Sequence, residues 1–102
     1  MEQTGHRPVV VWQSDALSRV LHSVLVVPLT TNLERARLAG TAVVESRDGA
    51  PPEPSVALAF QMRAIPKASI KERIRPLTED EEAELELATD EALGRVEPAA
   101  QG

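Results

Sequence analysis

The chain has 102 residues, of which 42% are hydrophobic, and its aromatic side chains are one Trp and one Phe. This length predicts one small domain with a core of aliphatic side chains. The sequence contains no cysteine, which excludes disulfide bonds and thiolate metal sites and is typical of a cytoplasmic protein. No apolar run approaches the ~20 residues of a membrane span and no signal-peptide pattern is visible at the start, so we expect no membrane association.

The net charge of −5 is distributed unevenly along the chain. Residues 1–77 contain ten Lys or Arg and seven Asp or Glu, a balance of +3, whereas residues 78–102 contain one Arg and nine acidic residues, a balance of −8. Salt screens charges over about 8–10 Å, so local charge decides which partners a surface attracts. The acidity of the whole chain therefore does not exclude phosphate binding by the basic body.

The first predicted element is a buried strand over residues 9–13, preceded by the polar segment Glu2–Pro8. Three β-branched residues followed by Trp12 favour this strand. The proline before it has a fixed φ and no N–H to donate. Arg7 is therefore held where a rigid strand begins, which is a good place to fix the orientation of a cation.

A second strand is predicted over residues 24–29, a continuous apolar run whose natural place is the interior of a sheet. The polar loop of residues 30–32 follows it directly. Between the first two strands, residues 14–18 are predicted to form a loop or one helical turn, with Ser14 or Asp15 as its cap.

A third strand candidate spans residues 38–45, and a fourth spans residues 55–59 and runs on into residues 60–65. Residues 46–54 are predicted to be a loop, because Asp-Gly favours a turn and three prolines block strand pairing. Residues 67–74 are predicted to form a short helix, since two isoleucines at positions i and i+4 are surrounded by charged side chains.

The last helix is predicted over residues 79–93. Thr78 and Glu81 have the spacing of a capping box, and the carboxylates that follow are favourable near a helix N-terminus. We expect one domain over residues 1–96 and a disordered tail over residues 97–102. Four short strands followed by helices predict a mainly β fold of the α+β class, with a strongly bent antiparallel sheet or partial barrel.

Four short motifs occur in an order that matches one known family. They are Glu2-Gln3-x-Gly5-x-Arg7-Pro8 with the strand behind it, Gln13-Ser14-Asp15, Val26-Val27-Pro28-Leu29-Thr30-Thr31-Asn32, and Ser55-Val56-Ala57-Leu58 with Gln61-Met62-Arg63. Each motif is weak alone, but their order and spacing across residues 2–96 are specific. On these residues the chain resembles the MazF/PemK (Kid) family of toxin endoribonucleases from bacterial type II toxin–antitoxin pairs.

The resemblance implies a small SH3-like barrel that forms a homodimer and binds single-stranded RNA. It implies sequence-selective cleavage of mRNA without a metal or other cofactor, in which the 2′-OH attacks the adjacent phosphate. It also implies a cytoplasmic location and a cognate antitoxin as partner, and contact with DNA only through that antitoxin.

The transition state of such a cleavage gathers negative charge on the phosphate oxygens, where a fixed guanidinium or hydroxyl donor stabilises it. Arg7 is the first candidate for this donor, because its planar fork suits phosphate, and Thr30 is the second. The resemblance points to the same two positions and adds Glu2 as a residue that contributes to activity or shapes the site. The alternatives are that Arg7 pairs with Glu2 or Asp15 at the surface and that Thr30 caps its loop.

Further polar side chains are candidates for contacts with RNA bases or phosphates: Gln3, His6, Gln13, Ser14, Thr31, Asn32, Gln61 and Arg63. For each of them an ordinary hydrogen bond within a loop is the alternative. The basic side chains of Lys67, Lys71, Arg73 and Arg75 could attract RNA or an acidic antitoxin segment, or they could form an exposed surface.

The chain departs from the family pattern at two places. Members usually carry a further strand and loop before the Glu-Gln pair, whereas Met1 directly precedes it here, which predicts an exposed edge in the sheet. Phe60 stands where several members carry an acidic residue proposed as a base, so the cleavage would need another base. The alternative function is a non-catalytic SH3-like module that binds RNA, an antitoxin or itself, or a shortened and inactive toxin.

Overall fold

The computed structural model describes residues 1–4 and 7–96, with the backbone alone at Gln3 and Thr4. Within these residues the strands are β1 (Glu2–Thr4), β2 (Arg7–Val11), β3 (Ser23–Thr30), β4 (Thr41–Val44), β5 (Ser55–Leu58), β6 (Arg63–Pro66) and β7 (Ile70–Arg73). The α-helices are α1 (Asp15–Val20) and α2 (Glu79–Ala92), and 3₁₀ turns occupy Leu33–Arg37, Ala59–Gln61 and Lys67–Ser69. None of the helices in this part of the chain is long and apolar enough to cross a membrane.

Strand β3 organises an antiparallel sheet with the order β4-β5-β3-β2-β1-β7. One edge of β3 pairs with β2, and its other edge pairs first with β6 and then with β5. Because two successive strands share one edge of β3, the sheet must bend between them. The predicted α+β architecture of an antiparallel sheet with a C-terminal helix is therefore found.

The middle parts of the central strands β2 and β3, residues 9–11 and 24–29, are apolar because both of their faces are buried or half-buried. Successive side chains of a strand point to opposite faces. Accordingly, Val10 and Val27 lie in the cluster beneath α2, whereas Val9 and Val26 lie in a second cluster with Val24. This burial explains why the runs predicted as strands show no alternation of polar and apolar residues.

Helix α2 packs on the sheet through Leu85 and Ala88, which are both 1% exposed. Its capping box is formed as predicted: Thr78 Oγ1 accepts from the Glu81 N–H at 3.1 Å, and Glu81 Oε1 accepts from the Thr78 N–H at 2.8 Å. Arg75 donates two hydrogen bonds to the same carboxylate, at 2.7 and 2.9 Å. Burial alone would raise the pKa of Glu81, but the bonds from Arg75 and Thr78 outweigh it and hold this pKa below its ordinary value.

The helix predicted over residues 67–74 is wrong. The segment forms a single 3₁₀ turn followed by strand β7, in which Arg73 pairs with Glu2. Ile70 lies against the cluster of Val9, Val24 and Val26. Pairing with a distant strand has therefore overridden the local preference of the segment for helix.

Other boundaries also differ from the prediction. The fourth strand does not continue through residues 59–62, where a 3₁₀ turn separates β5 from β6. The polar segment at Glu2 forms β1, which pairs with β2 on one side and with β7 on the other. Both edges of β2 are therefore paired, and the described strand order ends at β4 and β7, with β6 paired to β3 alone. The tail predicted over residues 97–102 lies outside the described residues.

Candidate active site

Strands β2 and β3 run antiparallel, so the start of β2 lies near the end of β3. A cleft lies at this place. Val9 and Pro28 form the last pair of these two strands, and Arg7 and Thr30 each lie two residues beyond that pair. Both residues line each of the two arms into which the cleft divides. The structure therefore brings together the two side chains that the sequence analysis favoured as phosphate ligands.

The two arms differ in chemistry. The proline arm has a volume of about 390 Å³, and beyond the shared residues its lining includes Thr31, Pro51, Pro52 and Glu53. The basic arm has a volume of about 330 Å³, and beyond the shared residues its lining includes Arg35, Gln61 and Arg63. Of the described residues that line either arm, Glu53 alone is acidic. The basic arm therefore carries an uncompensated positive charge.

Three arginines from separate elements line the basic arm: Arg7 from β2, Arg35 from the 3₁₀ turn after β3, and Arg63 from β6. Every ion pair found within residues 1–4 and 7–96 involves other cations, so these three have no carboxylate within 4.0 Å in that part of the chain. A guanidinium group presents parallel N–H donors, so arginines that pair with no carboxylate are suited to bind the phosphates of a polyanion.

Thr30 is half-buried at the junction of the two arms. Its Oγ1 accepts a hydrogen bond from the Asn32 N–H at 3.2 Å, which holds the hydroxyl at the end of β3. A hydroxyl that accepts a hydrogen bond still has its own proton to donate. Thr30 can therefore cap its loop, as its alternative role requires, and donate to an oxyanion in the cleft at the same time.

Glu2, the third predicted catalytic residue, is not brought into this cleft. Its side chain is 10% exposed and lies 3.5 Å from Arg73 Nε on β7. It lines a separate cavity together with Trp12 and Arg73. In the described structure Glu2 joins β1 to β7 by an ion pair, and its part in catalysis stays a prediction.

Three of the predicted RNA-binding side chains make local hydrogen bonds. Gln13 Oε1 accepts from the Leu25 N–H at 3.2 Å, Ser14 caps α1, and Asn32 caps the 3₁₀ turn that carries Arg35. Three others, Thr31, Gln61 and Arg63, line the cleft. The side chain of Gln3 and the whole of His6 lie outside the described residues. Contact with RNA stays a prediction for all eight.

Phe60 lies on the side of the 3₁₀ turn that faces α2. A Cβ added at Gly40 would stand 3.3 Å from the Phe60 ring and 3.5 Å from Ala92. Phe60 lines neither arm, whereas its neighbour Gln61 lines the basic arm. The position at which several family members carry an acidic residue is therefore occupied by a half-exposed ring beside Gly40 that does not line the cleft.

Sequence reasoning missed Arg35 and treated residues 46–54 only as a connecting loop. A signal for Arg35 was nevertheless present, because Asn32 followed by Glu34 has the pattern of a capped turn directly after the strand that carries Thr30. No comparable local pattern in the sequence indicates that Pro51, Pro52 and Glu53 line the proline arm. No cluster of three or more His, Asp or Glu that could hold a metal occurs in residues 1–4 and 7–96.

Comparison with known proteins decides the family. Residues 1–93 match the family described as PemK-like, MazF-like toxin of type II toxin–antitoxin system. The chain belongs to this family. It is 31% identical over 93 residues to the endoribonuclease MazF of Staphylococcus epidermidis, and the match covers 91% of this chain and 78% of that protein. The prediction of an endoribonuclease toxin is thus confirmed at the level of the family.

Solved structures agree with this fold. The Mycobacterium tuberculosis toxin MazF-mt6 superposes with a TM-score of 0.75 at 24% identity, covering 92% of this chain and 93% of that one. A mycobacterial endoribonuclease in complex with its cognate antitoxin superposes with a TM-score of 0.77 at 20% identity, covering 95% of this chain and 91% of that one. The predicted MazF-like fold of this toxin is therefore confirmed.

Proposed function

We propose that this MazF-family toxin cleaves single-stranded RNA sequence-selectively and without a metal, at a phosphate held between Arg7 and Thr30. The observation that carries the proposal is that these two residues line both arms of one cleft. An RNA strand that passes from one arm to the other must cross their junction. The scissile phosphate then lies beside two donors that rigid strands hold in place.

The chemistry required at this point is modest. The 2′-oxygen forms a bond to phosphorus while the bond from phosphorus to the 5′-oxygen breaks, leaving a 2′,3′-cyclic phosphate and a 5′-OH. The 2′-OH gives up its proton, and the departing oxygen takes one up. Arg7 and Thr30 donate to the oxygens on which charge develops, and each such donor contributes about 3–4 kcal/mol to transition-state stabilisation.

A substrate with one altered atom tests this mechanism. An RNA that carries a single 2′-deoxy nucleotide at a mapped cleavage position lacks the attacking oxygen but keeps every phosphate. We expect cleavage to stop at that bond and to continue at unmodified sites of the same strand. Cleavage at the deoxy position would require an external nucleophile and would refute attack by the 2′-OH.

We also propose that the toxin forms a homodimer in the cytoplasm. Support comes from the apolar side chains of Leu17, Val20 and Leu21, which are 48%, 72% and 40% exposed. Helix α1 buries none of its residues in the described structure. A second copy would cover this face, so light scattering should give twice the mass of the chain, and Val20→Glu should shift the protein towards the monomer.

A cognate antitoxin is the other partner that we propose. The mycobacterial structure with a TM-score of 0.77 is an endoribonuclease complexed with its antitoxin. The uncompensated arginines of the basic arm suit an acidic antitoxin segment as well as RNA. Contact with DNA would then come only through the antitoxin. Addition of purified antitoxin should inhibit RNA cleavage, and DNA should bind the complex but not the toxin alone.

A further inference from the structure

The third guanidinium of the basic arm has no role in the mechanism described above. Arg35 lines this arm with Arg7 and Arg63, but it does not line the proline arm. We propose that Arg35 binds an RNA phosphate adjacent to the scissile one and positions the strand, without acting on the reacting bond. This inference rests on the proposed function and adds one binding contact to it.

The backbone of Arg35 is held on both sides. Its N–H donates to the Asn32 carbonyl at 3.1 Å, and its own carbonyl accepts from the Leu38 N–H at 3.0 Å. Asn32 Oδ1 also accepts from the Glu34 N–H at 3.3 Å, and Thr41 Oγ1 donates to the Leu38 carbonyl at 2.8 Å. The turn therefore presents the side chain of Arg35 from a fixed base, as a positioning contact requires.

The charge of the basic arm gives Arg35 a reason to bind phosphate. Arg35 is exposed, and it has no carboxylate within 4.0 Å among the described residues, although Glu34 is its direct neighbour. Two further arginines line this arm, and none of the described residues that line it is acidic. Like charges placed together repel one another, and a phosphate bound among them relieves that repulsion.

The position of Arg35 distinguishes it from the residues assigned to chemistry. Arg7 and Thr30 lie at the junction and line both arms, whereas Arg35 lines one arm only. Its contact is therefore made equally in the bound substrate and in the transition state. Uniform binding of this kind lowers KM and leaves kcat unchanged.

The test compares Arg35→Ala with Arg37→Ala. Arg37 belongs to the same 3₁₀ turn and is also exposed, but it lines neither arm, so it controls for the loss of one positive charge. The dissociation constant is measured by fluorescence anisotropy over a series of salt concentrations, for an RNA made non-cleavable by a single 2′-deoxy nucleotide at its cleavage position. The single-turnover rate is measured with saturating RNA, and circular dichroism checks the fold of each variant.

For Arg35→Ala we expect about tenfold weaker RNA binding, because one charge-assisted contact is lost. The slope of log affinity against log salt should fall by about 0.7, the value for one phosphate contact on a single strand. The rate at saturation should stay within about twofold of wild type, as a uniform binding contact requires. Arg35→Lys should weaken binding less, since lysine keeps the positive charge but cannot make the two parallel hydrogen bonds of a guanidinium group.

Two results would overturn the inference. If Arg35→Ala keeps the salt slope and affinity of Arg37→Ala, then Arg35 does not bind the strand. If its saturated rate falls as much as that of Arg7→Ala, then Arg35 acts on the reaction and not on positioning. Failure of the proposed function looks different, because a folded wild-type protein would then cut no RNA, while the anisotropy measurement would still decide whether Arg35 binds it.

Discussion

Arg7 and Thr30 line the same cleft because β2 starts near the point where β3 ends, although they come from separate strands of the sheet. Pro8 fixes the backbone after Arg7, and the Asn32 N–H holds the hydroxyl of Thr30. Neither donor needs a flexible loop to reach the cleft. The sheet itself sets the spacing of the two groups that the mechanism requires.

Removing the hydroxyl of Thr30 should slow the chemical step. Thr30→Val keeps the β-branched shape but cannot donate to the phosphate, so we expect the single-turnover rate to fall by about a hundredfold. Thr31→Val is the matched control, because Thr31 lines only the proline arm, and it should retain most of the rate. Equal losses in the two variants would show that Thr30 has no special place in the reaction.

The Arg75–Glu81 pair should be a main determinant of stability. Arg75→Ala leaves the buried carboxylate of Glu81 without its two guanidinium bonds, and we expect the free energy of unfolding in urea to fall by about 3 kcal/mol. Arg95→Ala breaks an exposed pair with Asp90 at 3.6 Å and should cost less than about 1 kcal/mol. A small loss for Arg75→Ala would contradict the structural role assigned to this pair.

The same pair should make stability depend on pH in the acidic range. The pKa of Glu81 lies lower in the folded protein than its ordinary value of 4.5. As the pH falls below 4.5, the unfolded chain takes up this proton first, so the stabilisation is lost as the pH falls through the folded pKa. Urea unfolding between pH 3 and pH 7 measures the effect, and Glu81→Gln should have a flatter profile. Identical profiles would refute the linkage to Glu81.

Gly40 should tolerate a side chain less well than Gly49. Both glycines have positive φ, +78° and +77°, so alanine is strained at either position. At Gly40 the new Cβ would also meet the Phe60 ring at 3.3 Å, whereas at Gly49 no atom of the described residues lies within 4 Å. We expect Gly49→Ala to cost about 1 kcal/mol and Gly40→Ala measurably more, as judged by thermal unfolding. Equal costs would mean that the Phe60 ring gives way freely.

The parts of the fold that the sequence predicts are those determined by local patterns. The capping box at Thr78 needs only residues three apart, and the apolar runs around Val10 and Val26 need only a strand buried on both faces. The segment of β7 was predicted as a helix because Ile70 and Ile74 have helical spacing. Its actual partner, β1, lies almost seventy residues away in the sequence. Pairing at that distance leaves no signal in a local window.

The residues of the candidate site also divide into those that local sequence patterns predict and those that only the tertiary structure reveals. Arg7 and Thr30 were predicted because each stands at the end of an apolar strand, and the antiparallel register of those strands brings them together. Glu2 was added by the family resemblance, but its side chain pairs with Arg73 in the described structure. Arg35 was missed because an exposed arginine in a turn looks ordinary until the tertiary structure places it in the cleft.

The most direct test of the central claim is RNA cleavage in EDTA by the wild-type protein and by Arg7→Ala, with analysis of the product ends. For the wild type we expect discrete cuts that carry 2′,3′-cyclic phosphates. For the variant we expect cleavage to be at least about a hundredfold slower, with the fold unchanged by circular dichroism. Undiminished cleavage by Arg7→Ala, or no cleavage by folded wild-type protein, would contradict the claim.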